Sequence, residues 1–558
     1  MATQIYVNGI PSALQLSELL AAFENSIAEG VQIIQKQALH TRQDDAKLEQ
    51  VDQAFSQLNQ RISSLPIRLK QQRNLCTPLG RLSDEIILQI LGYCLVSNAG
   101  DNSLQDLYYI EETIPLSSAF FFCKRWRDLA NSYPPLWSQI ALPCNPNLFR
   151  LFRDRSGTSL MRVHLTNVGV RSDDVHMHAL GDSLCQLAPQ ISELQVDWMR
   201  DVQNLLGWDQ FLARHLRQNE LSSLKSLLLT DGGSHQLTDY IISTPVLQTL
   251  RVYAKHPLAP LHMRVDNLVE LSYLCDSLSP LNILRLLSEF PRIERCSIYD
   301  QEPESHSRSE TLPVISLPRL KSIHIGSLYL SDMRQVLGNL EVPSSAHLRL
   351  ETIELHSRST SIEGFLAPYL ASTQDLNIVK SKSLVTYRLT LDSGRLLVVE
   401  NKFEHGGGIT VASLAALSRY PTNLSRVNLK VQHLPSLYGI VEILSSWPSV
   451  KHIGVCTQYA DFERLLTALM ETPNTTCPLL RSFDCTGTKF SGNYMKRFLE
   501  FRTSKSVALQ ELNITEGFSD LEPGEVAHLV GKVREIPVES KLRWEVARPD
   551  CDPYPRWL

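Results

Sequence analysis

The segment PRLKSIHI (318–325) carries the pattern that decides the fold. Its apolar positions are Leu320, Ile323 and Ile325, and the last two lie two residues apart, so they share one face of a strand. The same order of residues, apolar-x-x-apolar-x-apolar, recurs from about residue 160 onward. Clear copies begin at Ile191, Leu247, Leu320, Leu350, Leu424, Val450 and Leu509, and weaker ones at Leu160, Leu224, Leu268, Ile293, Leu384 and Leu480.

Proline stands two residues before the first apolar position in several of these copies. These prolines are Pro189, Pro245, Pro291, Pro318, Pro448 and Pro478. The chain has 29 prolines in 558 residues, so chance alone puts far fewer at this position. Because proline ends the segment before it and favours an extended neighbour, each one indicates a boundary before a strand.

Helical patterns lie between the copies, as in LNILRLLSEF (281–290), DFERLLTALMET (461–472) and GNYMKRFLEFR (492–502). Alternating strands and helices at this spacing predict a right-handed stack with a parallel sheet. A single repeat cannot bury its apolar side alone, so neighbours stack into a solenoid. The pattern loosens over 356–420, where YRLTLDSGRLLVVE (387–400) predicts a hairpin that turns at Asp392-Ser393-Gly394.

An apolar residue recurs every seven positions within residues 12–65, which predicts one long helix or two helices with a break near 36–46. This segment either packs on its own protein or pairs with a second copy through a coiled coil. Both alternatives stay open.

A two-helix module is predicted between Pro78 and Ile140. Ser83 and Asp84 suit the start of a first helix, and the second helix is expected over 115–131, with its basic residues mostly solvated. Pro134-Pro135 ends it before Leu136-Trp137. The apolar face of the first helix comprises Ile86, Ile87, Ile90, Leu91 and Leu95.

Bulk properties favour a soluble protein of the cytoplasm or nucleus. Net charge is −5 with 43% hydrophobic residues, so a basic nucleic-acid-binding face is not expected. Neither a signal peptide nor an apolar run long enough for a membrane span is recognisable. The 11 cysteines form no CxxC pair, which indicates reduced thiols and no metal site.

No catalytic or cofactor-binding residues are expected. Gly181-Asp-Ser-Leu184 and His405-Gly-Gly-Gly408 match blocks from two unrelated esterase mechanisms and cannot form one site. Gly181 follows a helical pattern, so Ser183 lacks the strand-to-helix turn that exposes a nucleophile. His176 and His178 have no third ligand at metal spacing.

The module resembles an F-box of the type common in mushroom-forming fungi. The matching residues of the first half are Pro78, Leu82, Glu85 and Ile86, followed by Ile90, Leu91 and Leu95; those of the second half are Cys123, Lys124, Arg125, Trp126, Leu136 and Trp137. Ser83 stands where the family usually has a second proline, and Phe122 where it has valine. The downstream repeats resemble divergent leucine-rich repeats, which often follow an F-box.

The resemblance implies a non-catalytic substrate receptor of a ubiquitin ligase, which binds a Skp-type adaptor and through it a cullin–RING scaffold. Its domains are a helical segment (1–74), the F-box (75–142) and the repeat solenoid (143–558). The implied adaptor-binding residues are Pro78, Leu82, Glu85, Ile86, Ile87, Ile90, Leu91, Leu95, Cys123, Trp126 and Trp137. The two tryptophans have a second possible role, which is to join the F-box to the first repeats.

Substrate recognition is expected on exposed strand positions of the repeats. The candidates are Lys225, Arg251, His324, Glu354, Lys451 and Asp484. Two alternatives to the receptor remain: a repeat scaffold that mediates assembly without a ligase, and an F-box protein that binds the adaptor but never a cullin.

Overall fold

The computed structural model describes most of the repeat region and part of the N-terminal region. The described ranges are 13–40, most of 49–66 with 70 and 73, 77–96, 123–166, 174–198, 208–216, 221–230, 242–254, 263–265, 267–304, 311–354, 362–381, 384–403, 414–420, 422–471, 476–517, 519–520 and 522–537. Two compact units divide between Tyr133 and Pro134. The three predicted domain ranges stay a prediction.

Helices of the first unit are Ala13–His40, Asp84–Val96 and Lys124–Ser132, with a 3₁₀ turn at Leu79–Arg81. The residues described between 49 and 73 are also helical. The segment 41–48 lies outside the described residues, and self-association stays a prediction. No helix among the described residues has the length and apolar character that crossing a bilayer requires.

The second unit alternates helices with strands. Its helices are Pro146–Ser156, Asp174–Leu187, Trp208–Leu216, Pro280–Ser288, Leu330–Gly338, Ile362–Leu370, Leu437–Ser446, Tyr459–Leu469, Gly492–Ser504 and Pro523–Val526, with 3₁₀ turns at Pro134–Trp137 and Ala188–Gln190. The three helices predicted from sequence correspond to Pro280–Ser288, Tyr459–Leu469 and Gly492–Ser504.

The strands are numbered in chain order. They are β1 Gln139–Leu142, β2 Met161–Thr166, β3 Ile191–Asp197, β4 Ser226–Thr230, β5 Ile242–Ser243, β6 Thr249–Ala254, β7 Met263–Arg264, β8 Glu270–Cys275, β9 Arg295–Asp300, β10 Ile315–Ser316, β11 Ser322–Tyr329, β12 Leu340–Glu341, β13 His347–Glu354, β14 Thr373–Lys380, β15 Leu384–Leu391, β16 Leu396–Phe403, β17 Arg426–Lys430, β18 His452–Cys456, β19 Ser482–Asp484, β20 Glu511–Thr515 and β21 Lys532–Ile536.

Seventeen of these strands form one sheet. Neighbours along the sheet follow the order β1, β2, β3, β4, β6, β8, β9, β11, β13, β16, β15, β14, β17, β18, β19, β20, β21. All pairs are parallel except those of β15. Apart from β15 and β16, which lie between β13 and β14, each strand of this sheet lies beside the one before it, and this order confirms the predicted large and mostly parallel sheet with intervening helices.

The recurrent prolines occupy one position in a turn before each strand. Thr244-Pro245-Val246-Leu247 is closed by a hydrogen bond in which Leu247 N donates to Thr244 O at 3.2 Å. Proline presets φ at the second residue of such a turn, so its recurrence has a local backbone cause. Corresponding hydrogen bonds close the turns that contain Pro189, Pro291, Pro318, Pro448 and Pro478.

The repeat copy assigned to Leu350 is out of frame. Leu348 and Leu350 pair with Ile323 and Ile325 of β11 and are buried, whereas Ile353 is half-buried. The preceding turn ends at Ala346, whose small, buried side chain fills the first apolar position one residue later than the pattern requires. The sequence pattern missed this shortened repeat.

The copy assigned to Leu384 is also wrong, because β15 is antiparallel to both of its neighbours. It belongs to a two-stranded insertion, β15–β16, which lies in the sheet between β13 and the next repeat strand, β14. The predicted hairpin at Asp392-Ser393-Gly394 is confirmed, with Gly394 at φ +77°. The true repeat strand, β14, was missed because Thr373, fully buried, replaces the first apolar residue.

Candidate functional site

The first helix of the module begins as its sequence predicts. Ser83 Oγ accepts a hydrogen bond from Ile86 N at 3.4 Å and so caps the helix, and Asp84 and Glu85 occupy its first turn. The hydrogen bond with Ser83 lowers the pKa of the Glu85 carboxyl. Ser83 thus supplies a helix start at the position where F-boxes usually have proline.

Arg125 links the second helix to the N-terminus of the first helix. Its guanidinium donates to Leu82 O at 2.8 Å and forms an ion pair with Asp84, including Nε to Oδ1 at 3.1 Å. The expectation that Arg125 is mostly solvated is therefore wrong. The hydrogen bond to Leu82 O gives Arg125, in the sequence Lys124-Arg125-Trp126, a structural role. The periodic pattern of the sequence did not indicate this role.

The second helix is shorter than predicted. It begins at Lys124, and Cys123 before it is extended, at φ −155° and ψ 169°. An extended residue cannot continue a helix, so the helix does not run unbroken from residue 115. Residues 97–122 lie outside the described part of the chain.

The predicted apolar face of the first helix is divided between two environments. Ile87 and Leu91 are fully buried, so they pack inside this protein and do not present a surface. Ile86 is 45% exposed, Tyr93 is 75% exposed, and Ile90 between them is half-buried. Because positions i, i+4 and i+7 share one side of a helix, these three residues form a continuous apolar strip.

Leu79 in the preceding 3₁₀ turn is a further exposed apolar residue, at 43%. We call Leu79, Ile86, Ile90 and Tyr93 the module face. Sequence reasoning missed Leu79 and Tyr93, although Tyr93 follows Ile86 by seven residues. Of the other predicted residues, Leu82 and Cys123 are half-buried, Pro78 and Glu85 are exposed, and the Leu95 side chain lies outside the described residues.

Both tryptophans are internal. Trp126 is 4% exposed and Trp137 is 2% exposed, which corrects their assignment as adaptor-contacting residues. Trp137 lies edge-on to Phe152, with ring centroids 5.3 Å apart, and Arg155 Cζ lies 4.3 Å from its ring centroid. With Ile140 and Leu142, Trp137 completes a repeat pattern that ends in β1, so packing of the first repeat is its role.

The second candidate surface is the side of the large sheet opposite the core, which we call the polar sheet face. Residues between the buried apolar positions of each strand lie on it. Of the predicted recognition residues, Arg251 is half-buried and paired, while His324 and Asp484 are buried. Lys225 and Lys451 are exposed just before their strands, and the Glu354 side chain lies outside the described residues.

A buried ionic network lies where the insertion joins this face. Glu351 Oε1 lies 3.0 Å from His324 Nε2, and its other oxygen accepts from Lys402 Nζ at 3.3 Å. Burial raises the pKa of Glu351, but the bond to His324 and the neighbouring positive charges outweigh it and hold that pKa at about 2. Lys402 of β16 thereby ties the insertion to β13.

A second polar cluster lies near the other end of the face. His452 Nε2 lies 3.2 Å from Asn428 Oδ1, and its Nδ1 lies 3.0 Å from Ser482 Oγ. Burial lowers the pKa of His452, and the Arg426 charge adds to this effect. Asn428 reaches across Gly454, where an added Cβ would lie 2.1 Å from Asn428 Oδ1, so a side chain at position 454 would displace Asn428 from His452.

The Gly181–Leu184 block, which matches an esterase motif in sequence, does not present an exposed nucleophile. Ser183 lies inside the helix Asp174–Leu187 and donates to Ala179 O at 2.9 Å, so it lacks the exposed strand-to-helix turn. His405–Gly408 lies outside the described residues. Within the described ranges, no group of three His, Cys, Asp or Glu side chains is arranged to hold a metal ion.

No protein-family model and no curated protein matches this sequence. Among solved structures, the chain is similar to an internalin from Listeria monocytogenes, at 10% identity and a TM-score of 0.26. The match covers 72% of this chain and 88% of the internalin. At that TM-score the likeness carries no argument, so the class of the protein rests on its own strand order: a repeat protein with a large parallel sheet.

Proposed function

We propose that this chain is the substrate receptor of a Skp–cullin–F-box ubiquitin ligase, with the module face as the docking surface for the adaptor. The observation that carries the proposal is the exposure of Ile86 and Tyr93 on a helix whose opposite side, Ile87 and Leu91, is buried. A helix that is apolar on both sides packs on one side and leaves the other for a partner.

The energetics support a stable contact. Full burial of an aliphatic or aromatic side chain is worth about 1.5–3 kcal/mol, so covering the exposed parts of Leu79, Ile86 and Tyr93 contributes about 1 kcal/mol or more from each. The Arg125 contacts with Leu82 O and Asp84 hold the module rigid, which lowers the entropic cost of docking.

The repeat unit supports the other half of the proposal. The polar sheet face presents charged and amide side chains at regular spacing, as suits the selection of a protein substrate. The receptor performs no bond chemistry; it holds the substrate near the charged ubiquitin carrier and raises its effective concentration. No cofactor or metal enters this role.

Co-purification with a Skp-type adaptor tests the proposal. The native chain is expected to retain the adaptor, and Ile86→Asp combined with Tyr93→Asp is expected to lose it. Leu91 is unsuitable for this test because its burial makes Leu91→Asp a folding defect.

The matched control is Val175→Asp combined with Tyr438→Asp, at side chains 75% and 88% exposed in the repeat unit. This control should retain the adaptor. Failure of the native chain to retain it would favour the alternative, a repeat scaffold without a ligase. Retention of the adaptor with no cullin bound would point to an adaptor-binding protein outside the ligase.

A further inference from the structure

Three neighbouring parallel strands, β6, β8 and β9, form a regular grid on the polar sheet face. Their register gives three rows: Thr249, Glu270, Arg295; Arg251, Ser272, Ser297; and Tyr253, Leu274, Tyr299. Neighbouring strands lie about 4.8 Å apart, and residues two apart on one strand lie about 6.6 Å apart. The grid therefore fixes the distances between its charged and apolar rows.

The charged part of the grid has an excess of positive charge. Arg295 donates to Glu270 Oε2 at 2.9 Å, and Arg251 lies 3.9 Å from the other oxygen of the same carboxylate. The guanidinium side chains remain 36% exposed at Arg251 and 47% exposed at Arg295. Two guanidiniums that share one carboxylate keep N–H donors for a second anion.

The apolar row lies beyond the two serines. Ser272 and Ser297 are the smallest side chains of the grid, so the surface is lowest between the arginines and the apolar row. Leu274 and Tyr299 are half-exposed in that row. The Tyr299 ring lies against Gly326, where an added Cβ would come within 2.2 Å of ring atom Cδ2. The Tyr299 ring therefore packs on the backbone at Gly326, and Lys402 Nζ lies 5.9 Å from its ring centroid.

We propose that this patch binds an extended protein segment in which an acidic side chain lies four residues from an apolar one. In an extended chain, residues i and i+4 point the same way and lie about 13 Å apart, which matches the distance from the Glu270 row, where both guanidiniums meet, to the Leu274 row. The carboxylate binds the two guanidiniums, and the apolar side chain covers Leu274 and Tyr299. This proposal names the substrate class of the proposed receptor and depends on that proposed function for its role in ubiquitin transfer.

Selection from a displayed library of random 12-residue peptides on the full-length chain tests the proposal. Acid-x-x-x-apolar segments should be enriched, and a fluorescein-labelled enriched peptide should lose at least about tenfold in affinity for Arg251→Glu combined with Arg295→Glu. Glu270→Gln should strengthen binding, because it removes the internal competitor of the acidic side chain. Leu274→Ser should abolish the apolar preference while the acidic preference remains.

Arg426→Glu is the matched control, since Arg426 is an exposed arginine on the same face of β17. It should bind the peptide as the native chain does. Absence of acid-x-x-x-apolar enrichment, or equal weakening by Arg426→Glu, would overturn the proposal. Adaptor retention, which depends on the module face, is measured separately. If the native chain bound the peptide but did not retain the adaptor, the ligase role would be refuted and the peptide site would still be supported.

Discussion

Replacing Leu350 and Ile353 one at a time by alanine tests the repeat frame in β13. Leu350 is fully buried among the core residues and pairs with Ile325, whereas Ile353 is half-buried. Truncating a buried leucine removes its transfer free energy and leaves a cavity, so Leu350→Ala should cost about 2–5 kcal/mol of unfolding free energy. Ile353→Ala removes only partly buried methyl groups and should cost less than about 1 kcal/mol.

Urea unfolding is monitored by far-ultraviolet circular dichroism. The free energies of unfolding of the two variants are compared with one common slope of free energy against urea concentration. A solenoid can unfold in more than one step, so the comparison uses the transition that both variants shift. Arg349→Ala serves as a further reference variant. Arg349 lies beside Leu350 and is a half-buried residue of the polar sheet face. If Ile353→Ala destabilised the protein as much as Leu350→Ala, the pairing of β13 with β11 in this register would be wrong.

Three further predictions concern buried ionisable groups. Arg502 is fully buried and donates hydrogen bonds at 3.1–3.5 Å to four backbone carbonyls, those of Thr476, Cys477, Leu480 and Val507. Arg502→Met should therefore lower the free energy of unfolding by at least about 3 kcal/mol. A change under about 0.5 kcal/mol in urea unfolding would refute this structural role of Arg502. The lowered pKa of Glu351 stabilises the fold above pH 4.5 by about 3 kcal/mol, and this stabilisation is lost as the pH falls toward 2. The difference in unfolding free energy between the native chain and Glu351→Gln should therefore shrink between pH 7 and pH 3. A difference that stayed constant over this range would contradict the prediction. Burial raises the pKa of the Cys477 thiol to about 12, so iodoacetamide at pH 8 should label Cys477 no faster than the chain unfolds. Mass spectrometry measures the labelling rate of each cysteine. Labelling of Cys477 as fast as that of the half-buried Cys144 would contradict the burial of Cys477.

The repeat strands could be predicted because their apolar spacing and their prolines have direct physical causes. A strand buried on one face requires apolar residues two apart, and the turn before it favours proline at its second position. The prediction failed where another side chain filled the same space. Ala346 and Thr373 occupy first apolar positions, and a pattern defined by large apolar residues cannot detect them.

The β15–β16 insertion could be predicted only as a hairpin. The Asp392-Ser-Gly394 turn is a local signal, whereas the pairing of β16 with β13 and of β14 with β17 depends on contacts distant in sequence. Lys402 and Glu351, which join the insertion to the repeats, are 51 residues apart. Sequence spacing carries no information on such a pair.

The module shows a different limit. A periodic pattern shows that a helix is apolar, but not which apolar residues its own protein covers. Ile86 and Ile87 are neighbours of the same type, yet one is 45% exposed and the other fully buried. The expected contact, which comprised Ile86, Ile87, Ile90, Leu91 and Leu95, therefore loses Ile87 and Leu91 and gains Tyr93.

The central claim, that this strip accepts an adaptor, is tested most directly by the dissociation constant between the purified full-length chain and a Skp-type adaptor. Biolayer interferometry should give saturable binding that Ile86→Asp combined with Tyr93→Asp weakens at least about a hundredfold, as expected when two anchor side chains are lost. The control Val175→Asp with Tyr438→Asp should match the native value. Equal affinity for the native chain and the Ile86/Tyr93 variant, with both correctly folded, would contradict the account.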